Sequence, residues 1–429
     1  MAESIVARRD ELLEIRRFVD AIPAGGHALL FAGDPGIGKT QLWRATTSAA
    51  HAQGYLVLAA ASSSSEAQIA FTTIGDLFSP VVDDVLPALP QMQREALEAA
   101  LLIREPSGAP LQARTLGVAL VSAMRSLTQQ GSVLIALDDA QWVDASSANV
   151  LNFLFRRLAN LPVGLLATLR GRHLDALPDL ERSWATLRSI DVTPLSIGAI
   201  HSLVLDRLEL SLPRPLLIRI YETSGGNPFY ALELARSVNA GSMDVAGSSV
   251  PLPDSLLALV EKRLNSLPAS TASTLVSAAA LATPTVTVLA PLGPTAVADL
   301  ELAARHDVIQ FDGDRIRFTH PLLVPACYAL LPLHRRRDIH RRLAALDVDL
   351  EERARHLALS AVGPNAEIAD ALEGAANRAV RRGAAQAAAE LAELAAALTP
   401  TELEIEIGRR QALARAAVHW LAVAQNALL

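Results

Sequence analysis

The sequence predicts an α/β fold, a parallel sheet covered by helices on both faces, followed by largely helical segments. Two observations carry this. Short apolar runs at 27–33, 55–61, 132–138 and 163–170 alternate with stretches of helical period, and wholly apolar strands separated by helices mark a parallel sheet buried on both faces. After "SIDVTPLS" (189–196) the alternation stops, and the rest reads as helices with one hairpin. The 429 residues suffice for about two to four domains.

In chain order, residues 4–20 read as a helix with Ile5, Leu12, Leu13 and Phe18 on its apolar stripe. Gly25 and Gly26 open the strand "HALLFAG" (27–33), and "KTQLWRATTSAAHA" returns as a helix to the strand "YLVLAAA" (55–61). Helical segments run to 130, with 62–112 a longer insertion than a minimal crossover needs. "SVLIALD" (132–138), the helix "SANVLNFLFRRLAN" and "VGLLATLR" (163–170) complete the alternation. Residues 197–238 read as helices, and the Gly/Ser/Pro-rich "NAGSMDVAGSSVPLPDS" (239–255) is a join. "VIQFDGDRIRFTH" turns at Asp312-Gly313 and, with its flanking helices, suggests a winged-helix-like unit. From 350 onward the chain is Ala-rich and helical. The division expected is 1–196, 197–250, 251–345 and 346–429.

Composition bounds the function. Hydrophobic content of 51%, 4% aromatics and a mean hydropathy of +0.28 describe a globular chain rich in Ala and Leu. A formal net charge of -7 argues against a general nucleic-acid-coating surface. The single cysteine, Cys327, excludes an intrachain disulfide framework and a cysteine-rich zinc site; it reads as a core residue and fits a cytoplasmic location. "MAESIVARRDELLE" has no apolar signal-peptide region. Residues 264–298 carry no charge, but Pro268, Pro284, Pro291 and Pro294 break them into pieces shorter than the roughly 20 residues a bilayer requires.

The chemistry concentrates in three places. Gly33, Gly38, Lys39 and Thr40 fit G-x-x-x-x-G-K-[ST] between a strand and a helix, with Asp34, Pro35, Gly36 and Ile37 filling the loop. Such glycines let backbone N–H groups wrap phosphates; Lys39 would meet the β and γ oxygens and Thr40 would ligate Mg²⁺. Lys39 and Lys262 are the only lysines among 38 basic residues. In "VLIALDDAQWVD", Asp138 would hold Mg²⁺ directly or through water, and Asp139 would orient an attacking water. Arg170 ends "GLLATLR" at the sheet edge where ligands of open α/β sheets bind; it reads either as a γ-phosphate sensor or as a surface arginine. These residues predict binding of a nucleotide with Mg²⁺ more firmly than turnover.

The order "VARRDEL", "GDPGIGKT", "DDAQWVDASS", "ATLR", "SGGNPFYALEL" and "FTHPLL" resembles the large ATP-binding regulators of the LuxR family. These belong to the signal-transduction ATPases with numerous domains (STAND) of the AAA+ class. The resemblance implies an AAA+/STAND-like phosphate-loop domain, a helical lid, a winged-helix-like domain and the start of tetratricopeptide-like repeats. It places Gly226 and Pro228 near the adenine, Val6 and Arg8 near the base, and His320 at the β-phosphate in the resting state; on its residues alone a lone His at a strand–helix junction reads as structural, and with the resemblance the two readings stand even. It implies a slow Mg-dependent ATPase used as a switch, self-associating with ATP, and an inducer, protein or small molecule, acting through the C-terminal helices. No DNA-binding element is visible: "HRRRDIHRR" (334–342) reads as a solvated helix face, with Leu333, Ile339 and Leu343 on the apolar side. The alternatives are the ATPase module of a nucleotide-cyclase regulator and a metabolic phosphotransferase.

Overall fold

A computed structural model describes residues 7–105, 112–171, 183–184, 186–239, 256–320, 323–329, 331–346 and 348–428. Five strands, β1 (His27–Gly33), β2 (Leu56–Ala61), β3 (Val133–Asp138), β4 (Val163–Arg170) and β5 (Thr186–Asp191), form one parallel sheet in the order β2-β3-β4-β1-β5. This is the α/β architecture the sequence predicts. β3 is buried at every position and β4 at all but Arg170, whereas the edge strand β5 is mostly exposed. β5 (TLRSID) therefore does not read as an apolar run, unlike the other four strands.

Helices α1 (Arg9–Ala21) and α2 (Lys39–Ala52) cover one face of the sheet, burying Ile15, Phe18, Val19 and Leu42 against Leu29, Phe31, Leu134 and Leu166. The other face carries α3 (Thr72–Phe78), α4 (Val82–Val85), α5 (Gln91–Ala100), α6 (Ala113–Thr128) and α7 (Ala145–Phe155). Close approach is built in at Gly164, where a Cβ would lie 2.4 Å from Ile22 Cδ1. Asp144 caps α7 by accepting Ser147 N–H and also accepts N–H from Phe71 and Thr73. One buried carboxylate thus ties the insertion to the segment after β3.

Helices α8 (Ile197–Leu208), α9 (Arg214–Ser224) and α10 (Pro228–Asn239) close on a small core of Ile200, Val204, Ile220, Leu234 and Ala235. A separate core holds α11 (Leu256–Asn265), α12 (Ala269–Ala280), α13 (Val286–Leu289), α14 (Ala296–Arg305), the antiparallel hairpin β6 (Ile309–Asp312) and β7 (Arg315–Phe318), α15 (Leu323–Ala329) and α16 (Leu333–Leu343). Cys327 is fully buried there, and burial pushes its thiol up to about 12. The hairpin turns at Gly313-Asp314, one residue beyond the Asp312-Gly313 the sequence signals, because Asp312 still pairs with Arg315, and a bridge from Thr285 to Arg315 extends it.

Helices α17 (Leu350–Ser360), α18 (Ala366–Arg381), α19 (Ala385–Leu398) and α20 (Glu404–Leu428) pack consecutively, and their alanine faces join the same core as α6 and α7. Among the described residues no helix is long and apolar enough to cross a membrane.

One detail of the sequence reading is corrected. Ile339 and Leu343 are buried, but Leu333 is 61% exposed. Six residues along a helix advance about 600°, which turns Leu333 away from Ile339. His340 is turned inward instead, and its Nδ1 lies 3.0 Å from Nδ1 of His356.

Candidate nucleotide-binding site

Parallel register brings the candidate residues to one edge of the sheet. Gly33 at the end of β1 pairs with Arg170 at the end of β4, and Asp138 at the end of β3 pairs with Ala61. The loop 33–38 then runs into the N-terminus of α2, whose free N–H groups and dipole favour an anion. Gly36 and Gly38 have φ of 80° and 107°, the left-handed side of backbone space that glycine enters without penalty. Ile37 is buried beneath the loop. Lys39 is 6% exposed, and its Nζ donates to the carbonyls of Gly33 and Asp34, each at 2.9 Å. Burial lowers its pKa, opposed by the charge of Asp139 and reinforced by Arg170.

The acidic side is built by a residue that sequence reasoning passed over. Thr168, a polar position in the buried strand β4, donates to Asp138 Oδ1 at 2.5 Å and accepts Asp139 N–H at 2.7 Å. Burial raises the Asp138 pKa, the neighbouring Asp139 raises it further, and hydrogen bonds from Thr168 and Thr40 oppose them. Asp139 has φ of 51° and accepts Gln141 Nε2 at 2.9 Å, while Gln141 Oε1 accepts Arg170 N–H at 3.1 Å. Arg170 Nε lies 3.7 Å from Asp139 Oδ1, is buried, and makes no hydrogen bond. Its guanidinium stands 5.8 Å from the Trp142 ring centroid.

These side chains suit a magnesium nucleotide. Among the described residues no group of three or more His, Cys, Asp or Glu side chains is placed to hold a metal by itself. Mg²⁺ characteristically takes one or two carboxylates and completes its shell with phosphate and water. Asp138 and the Thr40 hydroxyl, which line the same cavity, form such a partial oxygen set. Thr40, Asp138, Asp139 and Arg170 line a cavity of about 690 Å³ whose far wall includes Pro284, Arg315, Ile316 and Phe318 of the hairpin unit.

Other segments reach the loop itself. Arg8 donates to Ile37 O at 2.9 Å, to Thr193 O at 2.7 Å and to Glu11. Gly226 (φ 76°) packs so closely on the chain after β5 that a Cβ would meet Leu195 O at 2.5 Å, and Pro228 starts α10. At Gly36 an added Cβ would lie 2.9 Å from Phe229 Cβ and 3.0 Å from both Asn227 Oδ1 and His320 Nε2. Val6 lies outside the described residues.

His320 is 5% exposed and stacks on Phe229 with ring centroids 3.6 Å apart and planes 8° apart. Burial, with Arg170 and Lys39 adding, lowers its pKa to about 3. The folded imidazole is therefore neutral at ordinary pH, while the unfolded one titrates near 6.5. With a lowered folded pKa, its contribution is present above about pH 6.5 and is lost as pH falls toward 3. His320→Phe, which keeps a ring on Phe229 and removes the titration, should show a shallower fall of melting temperature between pH 7 and pH 5 than wild type. An unchanged slope would contradict a neutral buried His320.

Comparison with known proteins bears on the fold and the domain. Residues 4–166 match the family model of the AAA ATPase domain. An uncharacterized protein of Rhizobium meliloti (strain 1021) is 27% identical over 391 residues, which are 80% of this chain and 37% of that protein. The chain thus spans 37% of the length of this curated relative. The crystal structure of a signal-transduction ATPase with numerous domains, carrying a tetratricopeptide repeat sensor, from Pyrococcus horikoshii is similar in fold. The TM-score is 0.54 at 13% identity, with 99% of this chain and 67% of that one covered. The chain therefore carries an AAA ATPase domain, on a fold similar to that of a signal-transduction ATPase with numerous domains.

Proposed function

We propose that the chain is an ATP/ADP-controlled signalling switch of the STAND type, the N-terminal part of a LuxR-family regulator. The observation that carries this reading is the meeting at Gly36. The phosphate loop is touched at one residue by Asn227 and Phe229 from the α9–α10 region and by His320 from the hairpin unit. A loop built only for turnover has no need of three outside contacts at its crown. A loop whose occupancy is read as conformation does.

In this reading residues 197–250 are a lid, 251–345 a winged-helix-like unit, and 346–429 the first tetratricopeptide-like helices. Thr40 and Asp138 would hold Mg²⁺, Asp139 would position water for slow hydrolysis, and Gly33 to Thr40 would wrap the phosphates of ATP or ADP. Arg170 would sense the γ-phosphate, because its Nε is buried and without an acceptor beside Asp139. ADP would favour the closed arrangement, and Mg-ATP an open one that self-associates.

Arg170→Ala should reduce the preference for ATP over ADP by about tenfold, the scale of one charge-assisted hydrogen bond. Competition titrations check this, and an unchanged ratio of dissociation constants would remove Arg170 as the sensor. The switch as a whole is tested by native mass measurement with ADP and with a non-hydrolysable Mg-ATP analogue. Larger assemblies with the ATP analogue alone support it, and identical masses at full occupancy contradict it.

A further inference from the structure

We propose that Asn227 is a positioning residue for nucleotide binding: its side-chain amide holds the phosphate loop receptive only while the lid is docked, so lid closure and nucleotide affinity are coupled. This rests on the reading of residues 33–40 as a nucleotide site. Asn227 Nδ2 donates to Pro35 O at 2.9 Å, a contact between residues 192 positions apart. Its Oδ1 accepts Tyr230 N–H at 3.2 Å and so caps the start of α10. Next to it, Phe229 N–H donates to Gly36 O at 3.3 Å, and from the opposite end of the chain Arg8 Nη2 donates to Ile37 O at 2.9 Å.

Peptide planarity turns these contacts into a statement about the loop's donors. In a trans peptide the C=O and the next N–H point in opposite directions. With Pro35 O drawn toward Asn227, Gly36 N–H must face away from the lid, and with Ile37 O drawn toward Arg8, Gly38 N–H must face away from Arg8. Outward carbonyls are the condition for inward N–H groups, and inward N–H groups are what a phosphate requires. Lys39 instead draws Gly33 O and Asp34 O toward the inside of the loop, and the peptide after Asp34 has no N–H to orient because residue 35 is proline. The Pro35 carbonyl, however, is held by the lid. If Asn227 leaves, the Pro35–Gly36 peptide is free to rotate, and glycine at 36 offers little resistance.

The two ends of the Asn227 amide do different jobs, which makes the proposal separable from a merely structural role. Asn227→Asp keeps an oxygen for Tyr230 N–H and removes the donor to Pro35 O, setting one oxygen lone pair against another. Asn227→Ala removes both. The expected result at pH 7.5 is an ADP dissociation constant raised about tenfold in both variants, in line with an interdomain hydrogen bond replaced by an unsatisfied carbonyl. Lowering the pH toward 5 should recover affinity in Asn227→Asp alone, because a protonated carboxyl can again donate to Pro35 O. A weakened helix cap gives no such pH-dependent recovery.

ADP binding by wild type, Asn227→Asp, Asn227→Ala and Lys39→Ala, followed by calorimetry at pH 7.5 and pH 5.5, decides the matter. Wild-type affinity retained in Asn227→Asp at both pH values would overturn the coupling while leaving the nucleotide site intact. A deficit in Asn227→Asp that does not shrink at pH 5.5 while Asn227→Ala binds normally would also overturn it. Failure of wild type to bind ADP, or equal binding by Lys39→Ala, would instead overturn the nucleotide-site reading beneath it.

Discussion

Lys39→Ala is expected to weaken nucleotide binding by on the order of a hundredfold, the scale of losing an ammonium aimed at phosphate oxygens. The aim comes from the protein. Two loop carbonyls at 2.9 Å hold the ammonium, and only 6% of the residue is exposed. Its removal leaves Asp138 and Asp139 facing an incoming polyanion with less positive charge to offset them. Unliganded stability should change little, because burial already disfavours the charged ammonium. Calorimetric titration with ADP checks this at a temperature where both proteins are folded. Wild-type affinity in the variant would exclude Lys39 from the site.

The largest expected effect on stability lies far from the loop. Arg382 and Glu351 form an ion pair at 2.6 Å in which the side chains are 1% and 0% exposed. The same guanidinium donates to the carbonyls of Ala70, Ala99 and Ala100, so it joins the C-terminal helices to the insertion of the α/β part. Burial raises the Glu351 pKa, and Arg382 opposes that rise. Arg382→Ala would leave the Glu351 carboxyl without its donor in the interior and remove a donor from three carbonyls, costing about 3–5 kcal/mol. In a unit of this size that corresponds to a fall in melting temperature of roughly 10 °C. Scanning calorimetry of wild type and Arg382→Ala measures it. A change of less than about 2 °C would mean that the helices are held to the α/β part by their alanine faces alone.

The legible parts of the site are those that end an apolar run. Gly33, Asp138 and Arg170 each close a buried strand, and parallel pairing necessarily brings strand ends to one edge. Thr168 was legible in principle, since a threonine inside a buried strand calls for a hydrogen-bond partner. The contacts of Arg8, Asn227 and Phe229 with the loop were not, because they join residues 29 to 193 positions apart and follow from how separate cores pack. The resemblance implied positions near the base for Arg8 and the Gly226–Pro228 segment. In the structure Arg8 grips the loop backbone, and it is Asn227, between that pair, that reaches Pro35.

The C-terminal helices teach a similar lesson. Repeats are expected to bury their faces on one another, and α18, α19 and α20 do pack in succession. Small alanine faces also let them lie close to α6 and α7, and period alone does not reveal that second neighbour. The mixed run at 334–342 hid its inward residue for a comparable reason. His340 serves equally on a wet or a dry face, and only its contacts with Tyr328 and His356 show which it takes.

Distance measurement between spin labels at Asp84→Cys on α4 and Glu301→Cys on α14 tests the nucleotide switch most directly. Both positions are exposed, and the native Cys327 is fully buried. With ADP bound the two sites should give one narrow distance, and with a non-hydrolysable Mg-ATP analogue a second, longer population should appear. Identical distributions at saturating occupancy of both nucleotides would contradict a conformational readout of the phosphate loop.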